Sequence, residues 1–216
     1  MQKNLILDWA RHQGFAISDA QLDTLEAYQN QVLKVNRHMN LTAITDDSDF
    51  AIKHIIDSLT LLPFIGENAS VIDIGTGAGF PGLVLRIMRE DIKLTLLDSL
   101  LKRVNFLRET AEMLGFPETE CIHARAEEFS KKRPAAYDIC TARAVASLDK
   151  LAAYALPLVK KGGAFLAMKG PDVFAELEKA KPAIKKYGGL VKNVHITEIA
   201  EGVRHSIVII KAFSNK

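Results

Sequence analysis

Apolar and polar residues follow two different rhythms along the chain. Between Leu22 and Val35, apolar residues recur at intervals of three and four positions, which predicts an amphipathic helix. The segment SDAQ, residues 18–21, has the spacing of a capping box and predicts the start of that helix. A second helical pattern occupies residues 50–65 and ends near Pro63.

From residue 70 onward, short β-rich runs alternate with longer helical runs. This alternation is typical of βαβ units around a parallel sheet with helices on both faces. The predicted strands are SVIDIG, KLTLLD, TECIHA, YDICTAR and GAFLAMKG, with helices after Pro81, after Ser99, around residues 148–158 and after Pro171. Only four residues separate LVKNVHITEI from RHSIVIIKAF, too few for a crossover helix, so these segments predict an antiparallel hairpin at the sheet edge.

The change of rhythm divides the chain into a predicted N-terminal helical extension, residues 1–66, and an α/β domain, residues 67–216, on which the extension packs. With 216 residues, 48% of them hydrophobic, the chain can bury a sizeable core. A net charge of +2 permits an anionic partner without requiring one.

Two further features of the composition exclude whole classes of protein. Cys121 and Cys140 are far apart and belong to no Cys/His cluster, so we expect neither a disulfide framework nor a metal site. No apolar run approaches the roughly 20 residues that span a bilayer. We therefore expect a cytoplasmic protein that does not associate with membranes.

The segment VIDIGTGAGFPG, residues 71–82, places glycines between a predicted strand and a predicted helix. Its literal match to Gly-x-Gly-x-x-Gly is weak support for a dinucleotide site, and a tight turn without a ligand is the alternative. Three neighbouring features favour S-adenosylmethionine instead. Asp73 suits the methionine ammonium and would repel a pyrophosphate, Asp98 ends the next strand and suits ribose hydroxyls, and the terminal hairpin is typical of class I methyltransferases.

Residues after the third and fourth strands extend this candidate site. Ala126 and Glu127 are placed to edge the adenine, although Glu127 also suits a solvated charge at a helix start. Arg143 leaves an apolar strand at the carboxyl edge of the sheet, where ligands of open α/β sheets bind. A structural salt bridge is the alternative role for Arg143.

Many segments of the chain, in their order, are similar to those of one known family. They are NRHMNLTAIT, HIIDSL, DIGTGAGFPG, LLDSLLKRVNFL, RAEEF, TARAVASL, MKG and RHSIVIIK. Together they resemble the glucose-inhibited division protein B family, the RsmG-type methyltransferases of small-subunit ribosomal RNA. The segment ITEIAEG departs from the family by lacking a proline before the last strand, which affects only the shape of the hairpin turn.

This resemblance implies a class I methyltransferase of Rossmann-like fold that transfers a methyl group from S-adenosylmethionine to a guanine N7, at position 527 of 16S rRNA, in a bacterial cytoplasm. The acceptor is implied to be 16S rRNA or the assembling small subunit, and we expect a monomer. With the glycine loop, the candidate cofactor-binding residues are Asp73, Gly75, Gly77, Gly79, Phe80, Asp98, Ser99, Leu100, Ala126, Glu127 and Arg143.

Guanine N7 carries a lone pair and no proton, so we expect no general base, and Arg143 is the candidate catalytic residue through orientation of the base. Basic residues form a candidate rim for RNA, with ordinary solvated charges as the alternative. These residues are Arg37, His54, Lys102, Arg103 and Lys169. His54 and Asp57 share a helix face, and we expect a hydrogen bond between them to dock the extension.

The cofactor class is directly testable. A methyltransferase of another acceptor, a nicotinamide-dependent dehydrogenase and a non-catalytic RNA-binding module are the alternative functions. We expect the purified protein to bind S-adenosylhomocysteine and not NAD, measured by equilibrium calorimetry. Binding of NAD alone would contradict the methyltransferase interpretation.

Overall fold

The fold was analysed in a computed structural model, which describes residues 1–143 and 146–213. The α-helices are α1 Lys3–His12, α2 Asp19–Met39, α3 Asp47–Phe50, α4 Asp57–Leu59, α5 Gly82–Met88, α6 Leu101–Met113, α7 Ala126–Lys132, α8 Leu148–Ala155 and α9 Phe174–Lys186. A π-helical segment, Ala51–Ile56, joins α3 to α4, and 3₁₀ turns cover Leu62–Phe64 and Leu156–Leu158.

Seven strands form one sheet in the order β3-β2-β1-β4-β5-β7-β6. The strands are β1 Ser70–Ile74, β2 Lys93–Asp98, β3 Glu120–His123, β4 Tyr137–Arg143, β5 Val159–Lys169, β6 Gly189–Ala200 and β7 Val203–Ala212. The pairs among β1 to β5 are parallel, whereas β7 is antiparallel to both β5 and β6. The predicted α/β class and terminal hairpin are confirmed.

The helices before β1 pack on one face of the sheet. Ser18 caps the start of helix α2 with the predicted capping box, and the helix buries Leu22, Leu25 and Val32. These side chains share a hydrophobic cluster with sheet residues such as Leu96. Burial of this apolar stripe, at about 25 cal/mol per Å², holds the N-terminal helices against the sheet.

The opposite face of the sheet is covered by α8 and α9, which contribute to a second hydrophobic cluster. Two local elements were not predicted from the sequence. Helix α7 is only seven residues long, and Phe129 is its one large buried apolar side chain, so it shows no periodicity. The π-helical segment has an apolar pattern that is indistinguishable by eye from an α-helical one.

The described residues contain no helix long and apolar enough to cross a membrane. Within the same residues, no group of three or more His, Cys, Asp or Glu side chains is arranged to hold a metal ion.

Gly82, the first residue of α5, is expected to tolerate no side chain. A Cβ there would overlap the buried Leu96 side chain and lie 3.0 Å from Asp73 Oδ2. We expect Gly82→Ala to lower the free energy of unfolding by about 1–3 kcal/mol, the usual cost of overpacking. Denaturant titration measures this effect, with Gly66→Ala as the matched control because a Cβ at Gly66 meets nothing within 4 Å. Equal stability of the two variants would contradict the prediction.

Candidate functional site

A first cavity lies at the carboxyl ends of β1, β2 and β3, where the topology gathers several predicted cofactor residues. Its lining consists of Gly75, Leu97, Asp98, Ser99, Ala124, Arg125, Ala126, Glu127 and Tyr154. Strand ends and the start of α7 supply most of this lining, while Tyr154 comes from α8. The structure therefore brings together five residues that were predicted from separate segments: Gly75, Asp98, Ser99, Ala126 and Glu127.

The Asp98 carboxylate fixes the wall of this cavity. It is almost completely buried, accepts hydrogen bonds from the backbone N–H of Gly77 at 3.0 Å and of Leu100 at 2.9 Å, and lies 3.7 Å from an Arg103 guanidinium nitrogen. The strand end thus holds both the glycine loop and the start of α6. Leu100 contributes its backbone N–H, and its side chain is exposed.

The Asp73 carboxylate has a different position from the one predicted. It is fully buried and accepts hydrogen bonds from the hydroxyls of Thr76 at 2.5 Å and Thr141 at 3.1 Å and from the Gly82 N–H at 3.0 Å. Burial raises its pKa to about 6, while the hydrogen bonds from these donors act to lower it. Because all three donors come from the protein itself, Asp73 shapes the glycine loop from beneath, and the predicted contact with an ammonium group is corrected.

Gly79 also supports the loop from within the protein. Its φ of +105° favours glycine, and a Cβ would lie 2.6 Å from the Tyr28 hydroxyl. That hydroxyl donates a hydrogen bond to the Ala78 carbonyl at 2.7 Å. Gly79 is therefore needed for the approach of α2 to the loop, and its contact with the cofactor stays a prediction.

A second cavity lies on the other side of Gly75. It is lined by Leu41, Thr42, Ile44, Lys53, His54, Gly75, Thr76, Gly77, Ala78, Phe80, Arg103 and Arg143. Gly75, with φ of +66°, lines both cavities, so the two are adjacent across one glycine. Such a paired site is shaped for an elongated ligand with a nucleoside at one end and a smaller polar group at the other.

Arg143 connects the end of β4 to the helices before β1. Its Nη1 donates hydrogen bonds to the Lys53 carbonyl at 2.7 Å and to Asp57 Oδ2 at 3.1 Å, and its Nη2 donates to His54 Nδ1 at 3.0 Å. The guanidinium also lies 5.2 Å from the centre of the Phe80 ring. The salt bridge considered as an alternative for Arg143 is present, and Arg143 joins His54 to Asp57 in place of the predicted direct bond.

His54 is a buried, neutral side chain. Burial and the nearby Arg143 charge lower its pKa to about 3. Since Nδ1 accepts from Arg143, the proton of the neutral ring is assigned to Nε2, which donates to the Thr42 hydroxyl at 2.8 Å. The ring stacks on Phe80 with 4.3 Å between centroids. His54 therefore supplies no positive charge for a phosphate, which corrects its predicted place in the RNA rim.

The other candidate RNA residues have different environments. The side chains of Arg37 and Lys102 are exposed, as a phosphate contact requires. Arg103 lines the second cavity and lies beside Asp98. Lys169 is largely buried, pairs with Glu176 at 2.8 Å and donates to the Ala146 carbonyl at 2.7 Å, so its predicted place on an open rim is corrected.

The sequence analysis did not single out several residues in and around these cavities, among them the polar side chains of Tyr154, Thr42 and Tyr28. Tyr154 and Thr42 line the first and second cavities, and Tyr28 supports the loop from α2. Each lies in a segment whose pattern is explained by packing alone, so spacing offered no signal. Only Thr42, within the quoted segment NRHMNLTAIT, was marked by the family resemblance.

The burial of neutral His54 predicts a pH dependence of stability. Below pH 6.5 the unfolded chain protonates this histidine, whereas the folded state does so only near pH 3. Its stabilising contribution is therefore present above pH 6.5 and is lost as the pH falls towards 3. Urea titrations between pH 7 and pH 4 should show that the free energy of unfolding falls more steeply for the natural protein than for His54→Phe, because the phenylalanine side chain cannot be protonated. Parallel pH profiles would disprove this assignment.

Comparisons with known proteins agree with the geometry. A family model described as GidB, rRNA small subunit methyltransferase G, matches residues 21–207. The chain is 42% identical to Ribosomal RNA small subunit methyltransferase G of Alkaliphilus metalliredigens (strain QYMF), over 98% of this chain and 91% of the relative. It is 44% identical to the protein of the same name in Desulforamulus reducens, over 94% and 86%.

Solved structures of lower sequence similarity share the fold. An O-methyltransferase from Bacillus cereus in complex with SAH aligns with a TM-score of 0.60 at 15% identity, covering 86% of this chain and 90% of that one. TYW2 from M. jannaschii, in complex with AdoMet, aligns with a TM-score of 0.57 at 17% identity, covering 74% and 76%. These likenesses support the class I methyltransferase fold.

Proposed function

The chain belongs to the GidB family of rRNA small subunit methyltransferase G, and on this premise we propose that it transfers a methyl group from S-adenosylmethionine to N7 of a guanine in small-subunit ribosomal RNA. The observation that carries the proposal is the pair of cavities sharing Gly75 at the carboxyl ends of the parallel strands. Ligands of open α/β sheets bind at this edge.

The lining of each cavity fits one end of S-adenosylmethionine. In the first, Asp98 offers carboxylate oxygens to the ribose hydroxyls, while Ala126 and Glu127 border the position of the adenine. In the second, the guanidinium groups of Arg103 and Arg143 are available to the methionine carboxylate. When bound, the cofactor supplies an electrophilic methyl group on its sulfonium.

The second cavity, where the methyl group of the cofactor would lie, fits a reaction in which the attacking atom of the acceptor needs no deprotonation. Among the described residues that line it, the ionisable side chains are Lys53, His54, Arg103 and Arg143, with no carboxylate. Both nitrogens of His54 are engaged, by Arg143 and by Thr42. Guanine N7 has an in-plane lone pair and no proton, so orientation and exclusion of water carry the catalysis. Arg143 is the residue we assign to orientation of the base.

The RNA is expected to reach the site across exposed cations such as Arg37 and Lys102. We assign the protein to the bacterial cytoplasm, where ribosomal RNA is its acceptor, and expect it to act as a monomer. Residues 1–66 form the extension that completes the second cavity, since Leu41, Thr42, Lys53 and His54 belong to its lining.

Loss of the gene tests this function in the cell. We expect 16S rRNA from a deletion strain to lack one 7-methylguanosine, detected by nuclease digestion and mass spectrometry, and the modification to return when the gene is restored. A complementing plasmid with a Gly75→Val variant serves as control, because a β-branched side chain is strained at positive φ and fills the space between the cavities. Full modification in the deletion strain would refute the proposed acceptor.

A further inference from the structure

A third cavity lies at the same edge of the sheet, beyond Arg143 and away from the first cavity. It is lined by Asp57, Arg143, Met168, Lys169, Gly170 and His205. These residues come from α4, the ends of β4 and β5, and the start of β7. Arg143 lines both this cavity and the second one, so the two are neighbours across its guanidinium.

His205 lines this cavity and has one polar atom, Nε2, that the packing of the fold leaves without a hydrogen bond among the described residues. The side chain is more than nine-tenths buried, and its Nδ1 is hydrogen bonded to Asp57 Oδ1. Its Nε2 is also buried and has no hydrogen-bond partner within residues 1–143 and 146–213. A buried polar atom left unpaired costs about 1–3 kcal/mol, so its presence beside a cavity points to a ligand.

The hydrogen bond to Asp57 sets the chemistry of the free nitrogen. A carboxylate only accepts hydrogen bonds, so Nδ1 carries the proton that it donates to Asp57. In the neutral form of the ring, Nε2 therefore carries a lone pair. Arg143 and Lys169 also line the cavity and carry N–H donors, while their charges are paired with Asp57 and Glu176. The cavity thus has a hydrogen-bond acceptor at His205 Nε2 beside the donors of Arg143 and Lys169. This arrangement suits a ligand whose edge carries an N–H group next to a carbonyl oxygen.

Guanine has such an edge, and its atoms follow the order of the side chains. N7, O6 and N1–H follow one another around the base. The second cavity, Arg143 and His205 follow one another along the sheet edge. With N7 directed at the second cavity, O6 meets Arg143 and N1–H meets His205 Nε2. Adenine in the same position presents its amino group to Arg143 and its N1 lone pair to Nε2. A donor then faces a donor and an acceptor faces an acceptor, so both contacts are unfavourable.

We propose that the third cavity binds the acceptor guanine and that His205, held by Asp57, accepts a hydrogen bond from its N1–H and so selects guanine. This assignment rests on the proposed function and adds to it a residue that reads the base. Its partner Asp57 acts as a positioning residue, since it faces His205 and Arg143 at once.

The test uses the full-length protein and small-subunit rRNA with guanine, inosine or 1-methylguanine at the acceptor position, with methyl transfer measured as kcat/KM. Inosine keeps N1–H and N7, whereas 1-methylguanine lacks N1–H. We expect the natural protein to accept guanine and inosine and to disfavour 1-methylguanine by about 10- to 100-fold. His205→Ala should lower kcat/KM for guanine by a similar factor, so that the preference over 1-methylguanine collapses towards one.

Two further variants separate recognition from folding. His205→Gln retains a hydrogen-bond acceptor and should keep part of the preference, while His12→Ala, an exposed histidine of α1, should behave as the natural protein. Affinity for S-adenosylhomocysteine should be the same in all variants, because His205 is absent from the lining of the first two cavities.

Three results would overturn the assignment. One is an undiminished preference for guanine over 1-methylguanine in His205→Ala, whatever its overall rate. Another is rejection of inosine by the natural protein, which would show that the 2-amino group is read instead. If the natural protein binds S-adenosylhomocysteine but leaves guanine-containing rRNA unmethylated, the proposed function fails as well, and this result differs from the first two.

Discussion

The fold and the candidate site both depend on the hydrogen bonds that the Asp57 carboxylate accepts from Arg143 and His205. One of its oxygens holds Arg143, 86 residues away in the chain, and the other holds His205, 148 residues away. The ion pair with Arg143 is largely buried, and removal of one partner from such a pair typically costs about 3–5 kcal/mol. The segment before β1 is thereby fixed to the end of β4 and the start of β7, and Asp57 itself lines the third cavity.

A second buried carboxylate, that of Asp73, holds the glycine loop in place, just as Asp57 holds the N-terminal extension against the sheet. Its hydrogen bonds to Thr76, Thr141 and the Gly82 N–H fix the backbone whose opposite side faces the ligand cavities. Hydrogen bonds that hold a loop in place before a ligand binds raise affinity through preorganisation. Both carboxylates act through the residues that they position.

The fold was largely predictable from the sequence because the spacing of apolar residues shows which positions of each helix and strand are buried. All seven strands lie where alternating or continuous apolar runs were found, and the order of short strands and helices determined the parallel topology. The meeting of Asp98 and Glu127 in one cavity was predictable because the fold places strand ends together. The direction in which each side chain points was not, since Asp73 looks from sequence like a ligand group and is turned into the core.

The network of Thr42, His54, Asp57, Arg143 and His205 lay beyond sequence analysis for a related reason. Its members come from four separate segments of the chain, since His54 and Asp57 lie on one helical stretch, and the contacts between these segments exist only once the sheet has formed. That His205 Nε2 has no hydrogen-bond partner among the described residues can be seen only in three dimensions.

Arg143 and Asp57 stabilise the fold as a pair. A double-mutant cycle of Arg143→Ala and Asp57→Ala, with unfolding free energies from denaturant titration, tests it most directly. Coupled residues of one buried network should show an interaction energy of about 1–3 kcal/mol, with the double variant less destabilised than the sum of the single ones. Additivity within about 0.5 kcal/mol would contradict the account.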